Sequence, residues 1–201
     1  MTSKRELRLI AQNRRDTLSE AERTAKSAWI AARLFAHPAF INADAVCCYV
    51  SFRSEVDTAP VLRRVLSDKK VLFCPKVLDV PSARMEFFRI TAPVDDLHAG
   101  NMGICEPDGT TQSLTEWMLR GGKEKQVLIV MPGLAFNAGL DRIGYGGGFY
   151  DTYLATMNED VSTVALAFDV QVFDQTFPTE AHDKRPQSLL TESSESRGQV
   201  P

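Results

Sequence analysis

No basic excess marks this chain. Its 23 lysines and arginines stand against 26 aspartates and glutamates, for a formal net charge of -3 and a pI near 5.7. A general nucleic-acid binder is ordinarily basic, so that class is set aside, although local basic clusters still suit a small anion. The four cysteines, Cys47, Cys48, Cys74 and Cys105, form no C-x-x-C pair. That argues against a zinc site or a disulfide framework and for free thiols in a reducing compartment. No run approaches membrane-spanning length, and the opening MTSKRELRLIAQNRRD is charged where a secretory leader is apolar. These absences predict a soluble, cytoplasmic protein with no nucleic-acid or membrane partner, and a monomer is expected. Histidine is sparse, three in all, and His182 reads as structural and not as a general base.

What is present is an ordinary globular composition: 201 residues, 44% hydrophobic and 24% charged, enough for one sizeable core. One domain over 1–201 is expected. Residues 3–16 read as a basic helix with Leu7, Ile10 and Ala11 on one face and Lys4, Arg5, Arg8, Arg14 and Arg15 on the rest. Ser19 followed by Glu22 is a capping-box pattern opening a second helix over 20–34. Apolar runs at 45–50 (AVCCYV), 70–74 (KVLFC, stopped by Pro75), 126–131 (QVLIVM) and 162–168 (STVALAF) read as strands covered on both faces. RMEFFRI, 84–90, alternates enough to be a sheet edge. Helical segments at 58–67 and 150–157 separate these runs, so the fold class is α/β with a mostly parallel sheet. Residues 91–125 read as a connection over the sheet with a weak helix near 114–119, and 193–201 as a polar, fraying tail.

The most concentrated signal is DRIGYGGGFYD, residues 141–151, which places Gly144, Gly146, Gly147 and Gly148 within five positions. They lie in a loop, 132–148, between a buried strand and a helix, where open α/β sheets bind ligands. Backbone N–H groups in such a turn can cradle phosphate oxygens. The loop is not a Walker A motif, since no Lys-Ser or Lys-Thr follows. It is not the dinucleotide fingerprint either, since Phe149 holds the last glycine position. A glycine turn with a purely structural purpose therefore stays open. Arg142 can fork onto phosphate oxygens. Asp151 reads either as a first-turn helix carboxylate or as a magnesium ligand. Tyr145, Phe149 and Tyr150 read as core fillers or as rings that stack on a heterocycle.

With its flanks, MPGLAFNAGLDRIGYGGGFYDTYL (131–154) resembles the signature of the 5-formyltetrahydrofolate cyclo-ligase family, also called methenyltetrahydrofolate synthetase. KRELR, YVSFRSEVDT, MGICEP, ALAFDVQ, FPTEAHD and LLTE resemble its other segments in the right order. The resemblance implies a three-layer αβα, Rossmann-like fold of the isomerase/CoA-transferase-like architecture. It also implies an enzyme that uses ATP as co-substrate, and Mg²⁺, to close 5-formyltetrahydrofolate to 5,10-methenyltetrahydrofolate. By the same resemblance, Lys4 through Arg8 (with Arg5, Glu6 and Leu7) and Arg142 through Tyr150 (with Ile143) match ATP positions. Lys4, Arg8 and Arg142 carry the catalytic charge. Phe52, Glu55, Asp57 and residues Tyr145 to Phe149 match the reduced-folate site, and Asp151 matches a metal position. Asp57 also reads as a helix cap.

The sequence departs from that pattern in two places. Gln187 stands where many members carry a metal-assisting aspartate, with Asp183 nearby as a substitute, and Gly147 stands where some carry a cation. The first departure keeps a non-catalytic nucleotide-binding module open as the alternative. An isomerase or CoA-transferase chemistry would call for a positioned acid–base pair, and no such pair is evident.

Overall fold

In a computed structural model, which describes residues 2–100, 103–122, 124–157 and 161–198, the first helix, α1, spans Lys4–Asp16. The Ser3 hydroxyl accepts from the Glu6 N–H and the Glu6 carboxylate accepts from the Ser3 N–H, closing a capping box. Helix α2, Glu20–Ala36, opens on the same device between Ser19 and Glu22. A short α3, Pro38–Asn42, leads into β1, Ala45–Cys48. Then come α4, Ala59–Ser67, β2, Val71–Asp79, and β3, Arg84–Ile90. The connection after β3 folds into α5, Pro93–Asp96, a hairpin of β4, Leu97–Ala99, and β5, Cys105–Pro107, and α6, Leu114–Trp117. The chain continues through β6, Val127–Met131, β7, Ala135–Asn137, β8, Arg142–Ile143, and α7, Phe149–Leu154. It ends with β9, Val161–Leu166, β10, Val172–Phe173, β11, Ser188–Leu190, and β12, Glu195–Arg197.

Seven strands form the central sheet in the order β12-β11-β9-β6-β1-β2-β3. The inner five are parallel, and β3 and β12 add antiparallel edges. Alternation along the strands sends neighbours to opposite faces. Val46, Cys48, Leu128 and Val130 pack with α2 and α4, through Ile30, Leu34, Val61 and Val65. Ala45, Cys47, Ile129 and Met131 pack on the other face with α6 and α7, through Leu114 and Tyr153. The result is three layers. A smaller sheet, β10-β7-β8, sits beyond the carboxyl end of β6, and the Leu7–Ala11 stripe of α1 buries against its Ala135, Ile143 and Phe173.

The chain order places β2 on one side of β1 and β6 on the other. The sheet therefore changes direction between β1 and β6, and the loops leaving their carboxyl ends diverge there. Such a switch point is the standard crevice of an open α/β sheet. Both expected ligand loops, 49–58 and 132–148, leave from it.

Several sequence expectations are corrected. The second strand does not stop at Pro75 but runs to Asp79, because β1 pairs only as far as Phe73. Beyond that point β2 is an edge on that side, so the missing proline N–H costs no ladder bond. Ile10 is 40% exposed, and the buried face of α1 is Leu7, Ala11 and Arg15. The tail is ordered at least to β12, which pairs with β11. The cues for β7, β8 and β10 were too short to read. Met102 and residues 199–201 lie outside the described residues.

Candidate active site

The rim of the switch point gathers four segments that are distant in sequence. From α1, the Arg8 Nε donates to the Gly144 carbonyl at 2.9 Å. Its guanidinium carbon lies 3.3 Å from where a Cβ on Gly146 would stand, and Gly146 has φ +101. Glycine is thus favoured there by the left-handed backbone, and a Cβ would also crowd the Arg8 guanidinium. Among the described residues, no acceptor takes the amide N–H of Tyr145, Gly146, Gly147 or Gly148, and all four residues are exposed. Unspent amides beside a cation make an anion-receptive rim.

Lys4, one turn earlier on α1, reaches the carboxyl-terminal segment, with Nζ 2.8 Å from Asp183 and 3.0 Å from Glu180. Burial opposes charging Lys4, but the two carboxylates raise its pKa above the ordinary lysine value. The same segment donates the Lys184 N–H to the Asp151 Oδ1 at 2.9 Å. Asp151 also pairs with the Arg142 Nη2 at 2.8 Å, and the Arg142 side chain is only 4% exposed. The Arg142 Nη1 donates to the Pro132 carbonyl, while its Nε and the Tyr150 hydroxyl are buried without partners. Arg142 and Asp151 are therefore one buried ion pair, and Arg142 is not free to sweep onto a ligand.

On the β1 side, the Phe52 N–H donates to the Glu55 Oε2 at 2.9 Å and the Tyr145 hydroxyl donates to the Glu55 Oε1 at 2.7 Å. A narrow crevice, without room for a water molecule in this structure, lies here between Arg15, Tyr49, Glu55, Val56, Pro132, Gly133, Leu166 and Gln171. Burial pushes the Glu55 carboxyl above its ordinary pKa, against the Tyr145 phenol, the Phe52 amide and the Arg15 charge, which pull it down. The native state then holds a proton longer than the unfolded chain. Stability is lost as pH rises through the ordinary glutamate value, about 4.3, and the loss is complete above the native one. Glu55→Gln should therefore flatten the fall in melting temperature from mildly acidic to neutral pH. Parallel melting curves for the two proteins would contradict this.

Not every expected residue joins the rim. Leu7 and Ile143 are core anchors. Arg5 is exposed, and the Glu6 carboxylate is spent on the helix cap. The Asp57 Oδ1 accepts from the Ala59 N–H at 2.9 Å, so it serves α4 as a cap. Gln187 is engaged on β9, its Oε1 accepting from the Thr163 N–H and its Nε2 donating to the Val161 carbonyl. Phe52 is half-buried, with the Arg53 guanidinium 4.9 Å above its ring. His182 is exposed and faces Glu180 rather than packing in the core. Sequence reasoning missed two residues. Gln171, 1% exposed, donates to the Gly133 and Leu134 carbonyls, and nothing local marks it. Arg15 is buried at 2%, and its spacing from Leu7 and Ala11 was the available signal.

For a metal, the described residues contain no group of three or more His, Cys, Asp or Glu side chains able to hold an ion. Mg²⁺ ordinarily binds through one or two carboxylates together with substrate phosphates and not through a protein cage. Among the described residues no donor reaches the Asp151 Oδ2, and Asp183 is adjacent in sequence to Lys184, whose N–H Asp151 accepts.

A model of the 5-formyltetrahydrofolate cyclo-ligase family matches residues 1–192. The chain is 30% identical to the 5-formyltetrahydrofolate cyclo-ligase of Mus musculus, over 96% of this chain and 95% of that protein. It is similar in structure to the 5,10-methenyltetrahydrofolate synthetase of Aquifex aeolicus, with a TM-score of 0.80 at 30% identity, over 98% of this chain and 94% of that one. The fold is also that of the Mycoplasma pneumoniae synthetase, with a TM-score of 0.71 at 18% identity, over 95% of this chain and 99% of that one. No described helix is long and apolar enough to cross a membrane.

Proposed function

Because the chain belongs to the 5-formyltetrahydrofolate cyclo-ligase family, we propose that it converts 5-formyltetrahydrofolate and ATP into 5,10-methenyltetrahydrofolate, ADP and phosphate. A formamide carbon is a poor electrophile and its oxygen a poor leaving group. Transfer of the γ-phosphoryl group to the formyl oxygen forms a P–O bond there and breaks the bond to ADP. The N10 nitrogen then attacks the activated carbon and gives up its proton. The C–O bond breaks and phosphate leaves. Positioning and charge stabilisation are the protein's main contributions to such a transfer.

The observation that carries this reading is the meeting of Arg8 with the glycine loop, 136 residues away, at 2.9 Å. In this reading Arg8, Lys4 and the amides of Tyr145 to Gly148 hold the triphosphate. Lys4 exchanges its carboxylate partners for phosphate oxygens. Asp151, with Asp183, would hold Mg²⁺, which neutralises phosphate charge when bound. Arg142 fixes Asp151 in place. Glu55 and Phe52 receive the pterin, the carboxylate accepting from its flat row of N–H donors. The three buried thiols, Cys47, Cys48 and Cys74, whose pKa values burial raises, are inert and suit a cytoplasmic enzyme.

The test follows the absorbance of the methenyl product with ATP, Mg²⁺ and 5-formyltetrahydrofolate. Stoichiometric ADP release with product supports the assignment. Nucleotide binding by calorimetry without product would assign a non-catalytic module instead.

A further inference from the structure

Arg15 has no part in the reaction as derived, yet it is the largest of the fully buried side chains. It leaves the inward face of α1 and reaches both ligand loops at once. Its Nε donates to the Ser54 Oγ at 3.0 Å, on the β1 side. Its Nη1 donates to the Tyr145 hydroxyl at 3.0 Å, in the glycine loop. The Ser54 hydroxyl in turn donates to the Asp16 carboxylate, which leaves its lone pair for Arg15. The charged groups around Arg15 are Asp16 below and Glu55 above.

The direction of each bond follows from chemistry. A guanidinium can only donate, so the Tyr145 oxygen accepts from Arg15 and its single proton goes to the Glu55 Oε1, 2.7 Å away. The other Glu55 oxygen accepts from the Phe52 N–H. A carboxylate offers about four lone-pair sites. Two are occupied within the described residues, and Glu55 lines the same narrow crevice as Arg15. A buried cation is costly to desolvate, and an apolar side chain would close the same seam at less expense. What the guanidinium adds is a fixed distance between residues 52–55 and 144–148, neither of which lies in a helix or strand.

We infer that Arg15 is a positioning residue for the folate, acting through Tyr145 and Ser54 to lock the glycine loop against the β1–α4 loop so that the Glu55 carboxylate keeps one orientation toward the pterin. The inference rests on the functional reading above. Without Arg15 the phenol keeps its proton but loses the donor that orients it. The Tyr145–Glu55 bond then no longer holds one geometry, and the loops separate as units.

The experiment compares wild type with Arg15→Met, Arg15→Lys, Tyr145→Phe and the double variant Arg15→Met/Tyr145→Phe. Arg15→Met is expected to raise the KM for 5-formyltetrahydrofolate about tenfold or more, the scale of a lost charge-assisted hydrogen bond, and to raise the KM for ATP by less, because Arg8 still holds the glycine loop through the Gly144 carbonyl. Arg15→Lys, which keeps the charge and some donors, is expected to recover part of the loss. The double variant should lose little beyond Arg15→Met alone, as for two groups acting through one bond. In parallel, hydrogen exchange at residues 51–55, where the Ser51, Phe52 and Glu55 amides are hydrogen-bonded, should accelerate in Arg15→Met with α2 unchanged, and the Tyr145 ring resonances should shift.

Equal rises in both KM values, effects that multiply in the double variant, or unchanged exchange at 51–55 with unmoved Tyr145 resonances would overturn the inference. If Arg15→Met does not fold, Arg15→Lys and Tyr145→Phe give the same comparison. Wild-type protein that fails to cyclise the folate would overturn the functional reading and the substrate role together, and the exchange measurement then decides the loop coupling by itself.

Discussion

Arg8→Met is expected to lower turnover of 5-formyltetrahydrofolate by a factor of about 10²–10³, the usual consequence of removing one group aimed at developing charge, while changing folding stability by only about 1 kcal/mol. The separation follows from position. Arg8 is half-exposed and makes one bond to the fold, to the Gly144 carbonyl. Its charge hangs over Gly146, beside four unspent amides. Little of the native state depends on it, whereas a phosphoryl group in that cradle would. Arg8→Lys should restore only part of the rate, because an ammonium is a point charge without the planar fork. Single-turnover formation of the methenyl product, set beside urea unfolding, checks this. A rate within about threefold of wild type would remove Arg8 from the phosphate site. Equal proportional losses of rate and stability would make it a structural strut.

Asp151→Asn has the second large effect, and here stability and function should both move. The Arg142 side chain is 4% exposed, its Nε already lacks a partner, and Asp151 is its counter-ion. Neutralising the carboxylate strands a buried cation, at a cost of about 3 kcal/mol. It also replaces an anionic oxygen by an amide, a weaker Mg²⁺ ligand, so the Mg²⁺ concentration for half-maximal rate should rise severalfold. Unfolding measured without ligand isolates the first effect, and a metal titration at saturating ATP isolates the second. A stability loss with an unmoved titration would leave Asp151 as the counter-ion of Arg142 and nothing more. The same pair alters the expectation for Arg142. The sequence placed its guanidinium on phosphate, but the fold spends it on Asp151 and the Pro132 carbonyl.

The legible parts of the fold were those with local causes. The basic helix over 3–16, the capping box at Ser19 and the buried runs of β1, β6 and β9 are written in neighbouring residues, and each formed within a few positions of where the pattern put it. Pro75 misled because a proline ends a strand only where its N–H is wanted, and that depended on the length of β1. Strands of two or three residues such as β7, β8 and β10 carry no period long enough to read. They exist because partners arrive from elsewhere.

For the site, the sequence by itself determined the ingredients: a basic helix, a glycine turn after a buried strand, and a carboxylate beyond it, with a family resemblance spanning the chain. Only the tertiary structure decided which cation meets which anion. Lys4 faces Asp183, Arg142 is consumed by Asp151, Asp57 is a cap, Gln187 turns to β9, and Arg15 lies buried between two loops. The reason is physical. Helix caps and strand periods are set by interactions over a few residues, and the sequence displays them directly. A buried charge is satisfied by whatever the completed fold brings within hydrogen-bonding distance, and those partners lie from 9 to more than 170 residues away along the chain.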